Sequence, residues 1–103
     1  MADIDYALMQ EWVEAQWENH ALESLSGFIE IPALSPAFDA DWESNGYLDD
    51  TIDHFVGWLG TLPVEGMTCS VHRLAERTPV LIVQIEGTTD GEVLFYSHLD
   101  KQH

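Results

Sequence analysis

A mixed α/β fold, two helices followed by three strands, is predicted by a change of rhythm along this 103-residue chain. Apolar residues recur at helical spacing as far as Leu59, then at a spacing of two from Met67 onward. Gly60 closes the helical half, and Pro79 and the run Gly87-Thr88-Thr89-Asp90-Gly91 punctuate the strand half. Helices first and strands after them indicate an α/β sandwich rather than an all-α or all-β domain.

The first helix is read from Ile4, Leu8, Trp12, Ala15, Leu22, Leu25 and Ile29, with Val13, Trp17 and Phe28 widening the stripe. Asp3 and Asp5 suit its electropositive start, and Pro32 must follow its end because proline lacks an amide donor. Gly27 weakens the final turns. Residues 31–45 form a connection longer than usual, which points to function or a surface wrap. Ser44 and Asn45 then offer N-caps for a helix whose Leu48, Ile52, Phe55, Val56 and Leu59 share one face. Asp49, Asp50 and Asp53 take the outer face, and Gly60 is its C-terminal cap.

Met67, Cys69 and Val71 alternate with Thr68, Ser70 and His72, the pattern of a half-buried strand. Val80-Leu81-Ile82-Val83-Gln84-Ile85 is apolar on both faces and reads as a central strand. A third strand is expected over residues 92–97. Cys69 reads as a small buried core residue, and the tryptophans at 12, 17, 42 and 58 as packing residues.

Three basic residues against nineteen acidic ones leave a formal charge of −16. That balance opposes nucleic acid and anionic membranes, both polyanions. The first five residues lack the basic and apolar regions of a signal peptide, and no apolar run nears the ~18 residues of a membrane span. A soluble, cytoplasmic protein is expected. No Gly-rich phosphate loop, Gly-x-Ser-x-Gly elbow or paired-cysteine metal knuckle occurs.

The stretch Tyr96-Ser97-His98-Leu99-Asp100-Lys101-Gln102 carries the clearest chemistry. His98 is expected at the C-terminal tip of the third strand, the edge at which open α/β sheets hold ligands. A carboxylate two residues on can fix an imidazole's orientation and tautomer. Upstream lies Phe28-Ile29-Glu30-Ile31-Pro32-Ala33-Leu34-Ser35-Pro36. In this order, with the helices and strands between them, the two segments resemble the start of the aminoacylase, carnosine dipeptidase and succinyl-diaminopimelate desuccinylase family of dinuclear zinc peptidases and amidohydrolases.

The resemblance implies that residues 1–103 are the N-terminal portion of a three-layer α/β/α catalytic domain, inactive alone, with the rest of that domain and a lid domain lying elsewhere. It makes His98 a zinc ligand and Asp100 the catalytic-site acid that holds the imidazole. It also implies two Zn2+ ions per complete site, and dipeptides, N-acyl amino acids or related amides as substrates. The family's other metal ligands and general-base glutamate come later in its chains. The family commonly has proline after the Gln, where this chain has His103. In the family's sheet a further strand lies between the last two expected here, so those two strands pair directly, exchange with another copy, or await the remainder. Self-association or a homodimer is therefore expected. The alternative reading is a non-catalytic acidic α/β module for protein contacts. His20, His54 and His72 are scattered among unrelated elements; Asp50 and His54 share a helical face at a spacing common by chance.

Overall fold

The computed structural model describes residues 3–102. Met1 and Ala2, part of the signal-peptide reading, and His103 lie outside the described residues. The chain divides into two compact units between Glu30 and Ile31.

From Tyr6 the first unit is helical: α1 (Tyr6–Gln16), a turn of π-helix (Trp17–Ala21) and α2 (Leu22–Glu30). Asp5 caps it, its carboxylate accepting from the Leu8 amide at 3.0 Å, a contact contributing about 1 kcal/mol. The helix runs through Gly27 and stops two residues before Pro32. The π turn is the feature that periodicity concealed. The Leu22 N–H donates to the Trp17 carbonyl, five residues back, so that turn holds one residue more than an α turn. One extra residue rotates everything after it by ~100° about the axis. The less exposed positions are Gln16, Ala21, Ser24, Gly27 and Phe28, of which only Phe28 belongs to the expected stripe; Ile4 and Leu8 before the turn and Leu22, Leu25 and Ile29 after it are exposed. Trp12 and Trp17 are exposed as well, against the expectation of packing.

The second unit begins with the Pro-containing connection. Ser35 turns the chain: its carbonyl accepts from the Phe38 and Asp39 amides at 2.8 and 3.1 Å. The short α3 (Trp42–Asn45) follows, then α4 (Tyr47–Leu59). Gly46 separates them at φ +76°, a left-handed conformation that glycine adopts without steric cost. Ser44 and Asn45 thus end α3 rather than precede a single helix, although the Asn45 side-chain oxygen accepts from the Tyr47 amide at 3.1 Å. The inner face of α4 supplies most of the core. Leu48, Thr51 and Ile52 are buried with Ala33, and the Thr51 hydroxyl is satisfied by donating to the Tyr47 carbonyl at 3.0 Å.

Two strands, β1 (Met67–His72) and β2 (Val80–Ile85), pair antiparallel from Met67–Ile85 to His72–Val80. The mixed α/β class stands. Three expectations about its sheet do not. Residues 92–97 join neither strand. Among the described residues β2 has one partner instead of two, and both its faces are largely exposed, as is Cys69 on β1. The physical reason is common to all three: alternation specifies which residues share a face, but not whether anything covers it. The hairpin is tied to α4 by an Arg73–Asp49 ion pair between exposed side chains, worth at most about 1 kcal/mol. No helix among the described residues is long and apolar enough to cross a membrane.

Candidate functional site

The fold brings the two motif-bearing segments together. Leu34 and Lys101 form a parallel bridge: the Lys101 N–H donates to the Ala33 carbonyl at 2.9 Å, and the Ser35 N–H donates to the Lys101 carbonyl at 2.8 Å. The Lys101 ammonium adds a bond to the Ile31 carbonyl, 70 residues away in sequence. Partial burial lowers the Lys101 pKa below its ordinary value. Ala33 lies fully buried in the same segment. Neither Ala33 nor Lys101 had a role in the sequence reading. A signal was present, since Lys101 is one of three basic residues in a strongly acidic chain and falls inside the motif.

His98 and Asp100 sit immediately before this bridge. Because residues 92–97 join no strand, His98 follows an exposed segment rather than a strand tip. Its pairing with Asp100 is nevertheless formed: Nδ1 lies 2.8 Å from Asp100 Oδ1 and 3.0 Å from the Asp100 carbonyl oxygen. Both partners are acceptors, so Nδ1 carries the proton, and in the neutral ring Nε2 keeps its lone pair. This is the arrangement by which a carboxylate orients a metal-binding imidazole and raises its basicity.

The Asp100 side-chain hydrogen bond raises the His98 pKa above 6.5, with its backbone carbonyl and negative charge adding to the effect. A raised folded-state value means that protonated His98 favours the folded state. That contribution is complete below the unfolded pKa and disappears as pH rises through the folded one. In an NMR titration, Asp100→Asn is expected to move the His98 midpoint down toward its ordinary value. An unchanged midpoint would show that the contact is not formed in solution.

Among the described residues, no set of three or more His, Cys, Asp or Glu side chains could hold a metal ion. A catalytic zinc site needs about three protein ligands, so His98 and its supporting Asp100 do not constitute one. His20 lies in the π turn. His54 meets the edge of the Phe55 ring at 5.5 Å, and His72 Nε2 lies 3.1 Å from the Ser70 hydroxyl. The structure gathers none of them into a metal-binding set. A shallow hollow lined in part by Trp42, Leu48, Arg73 and Arg77 lies where the hairpin turn meets α4.

The chain matches no protein-family model and no curated sequence.

Proposed function

We propose that this chain is the N-terminal portion of the catalytic domain of a zinc-dependent peptidase or amidohydrolase, acting on dipeptides, N-acyl amino acids or related amides. The observation that carries the reading is the junction of the two motifs: Leu34 pairs with Lys101 while His98 Nδ1 is held by Asp100 one residue before that bridge. In this reading His98 contributes one zinc ligand through Nε2, and Asp100 is a positioning residue that sets its tautomer. The three-layer α/β/α arrangement belongs to the same reading, with further chain covering the exposed faces of β1 and β2. On this reading the 103 residues alone are inactive, the remaining ligands and the general base lying in further chain.

A second reading, a non-catalytic acidic module for protein contacts, is favoured by the breadth of exposed apolar surface. Native mass spectrometry of the natural protein purified with zinc separates the two. A longer polypeptide carrying two zinc ions supports the hydrolase. A zinc-free species of the 11.6 kDa chain mass supports the module.

A further inference from the structure

We infer that Lys101 is a positioning residue for His98, acting with the proline-bounded residues 32–36 through the peptide group that joins Asp100 to Lys101. This role rests on the hydrolase reading, in which His98 Nε2 is the zinc ligand, and identifies what holds the ring's supporting carboxylate.

The imidazole depends on that support. The His98 side chain is 69 % exposed, so packing does little to orient it. Among the described residues its hydrogen bonds both go to Asp100. Whatever fixes Asp100 therefore fixes the ring.

The coupling lies in one peptide plane. A peptide unit is rigid and trans, so its C=O and N–H point in opposite directions. In the Asp100–Lys101 unit the carbonyl oxygen lies 3.0 Å from His98 Nδ1, while the N–H donates to the Ala33 carbonyl at 2.9 Å. Rotating that plane breaks both contacts together. The following peptide unit is held too, because the Lys101 carbonyl accepts from the Ser35 N–H at 2.8 Å. The Asp100 Cα borders the held plane, and its carboxylate reaches the same ring nitrogen at 2.8 Å.

The anchor is itself stiff. Pro32 and Pro36 bound it. Each fixes its own φ and pushes the residue before it, Ile31 or Ser35, toward extended backbone. The Ala33 N–H folds back onto the Ile31 carbonyl at 2.8 Å across Pro32, a tight three-residue turn. That same carbonyl accepts from the Lys101 ammonium. A cationic donor makes one of the stronger hydrogen bonds, and with Ala33 fully buried beside it water competes weakly for the contact. The lysine side chain thus locks the motif onto a segment whose shape its prolines have already set.

The test reads the tautomer of His98 rather than activity or metal. In the unmodified 103-residue chain, at a pH where the ring is neutral, the imidazole nitrogen shifts in NMR spectra are expected to show the proton on Nδ1. Lys101→Met removes the ammonium bond and is expected to lower the ratio of Nδ1–H to Nε2–H about tenfold, with the Leu48 and Ile52 methyl signals of the core unmoved. Lys101→Arg keeps a cationic donor and should restore the ratio. A lysine that merely stabilises the fold leaves the ratio unchanged in the folded Met variant, and that result overturns the inference. If the Met variant does not fold, amide exchange in the unmodified chain decides: a protected Lys101 N–H alongside an Nδ1 proton supports the coupling, and exchange at the rate of an unstructured peptide overturns it. A zinc-free natural protein removes the hydrolase reading but leaves these spectra as they are, so the two failures are told apart.

Discussion

Ile52→Ala is expected to lower the stability of the second unit by about 2–5 kcal/mol, enough to shift its urea midpoint strongly or abolish folding at room temperature. The size follows from how little is buried. Ile52 is 4 % exposed, and only Ala33, Leu48 and Thr51 accompany it among buried described residues. Removing three carbons from so small a core forfeits both transfer free energy and packing, while typical domains hold only about 5–15 kcal/mol in total. Ile29→Ala supplies the control: that side chain is 62 % exposed on α2, so its loss should fall within about 0.5 kcal/mol. Equal effects of the two variants in denaturation followed by circular dichroism would contradict the core assigned to α4.

On the proposed hydrolase reading, His98→Ala made in the longer protein is expected to remove a zinc ligand and with it most activity and one equivalent of metal. Asp100→Ala should act differently. It leaves the Nε2 ligand in place but releases the ring's tautomer and orientation, so zinc affinity or activity falls roughly 10–100-fold with metal partly retained. Because the imidazole must be neutral to bind metal, zinc loading at this residue should weaken as pH falls through the raised His98 pKa. Zinc content by mass spectrometry, read beside activity across pH, distinguishes a lost ligand from a mis-set one. Full activity in both variants would remove the hydrolase assignment.

Periodicity was a good guide to backbone state and a poor one to burial. The helical rhythm of residues 4–29 marked a helix, yet its apolar stripe is exposed both before the π turn, at Ile4, Leu8 and Trp12, and after it, at Leu22, Leu25 and Ile29, with Phe28 alone of the expected residues less exposed. Nothing in a list of apolar positions announces a single five-residue hydrogen bond. For α4 the same reasoning placed Leu48 and Ile52 inward correctly. Val80–Ile85 is a strand as its composition indicates, but its central position in a sheet depended on neighbours that local composition cannot supply. Val93–Tyr96 has strand composition as well and remains unpaired for the same reason.

The candidate site divides along a similar line. The His98–Asp100 pair was legible in sequence because it is local: two residues apart on one strand of backbone, with short side chains that can reach each other. The Leu34–Lys101 bridge was not, since pairing across 70 residues is a property of the folded chain.

Sequence alone determined the helix-then-strand order, the acidic surface, and the imidazole–carboxylate pair, all set by interactions among near neighbours. Only the tertiary structure decided that two distant motifs share a junction, that the core rests on one face of α4, and that β2 and residues 92–97 remain uncovered. Those outcomes depend on which surfaces meet, and long-range contact is the information that a local pattern of residues does not carry.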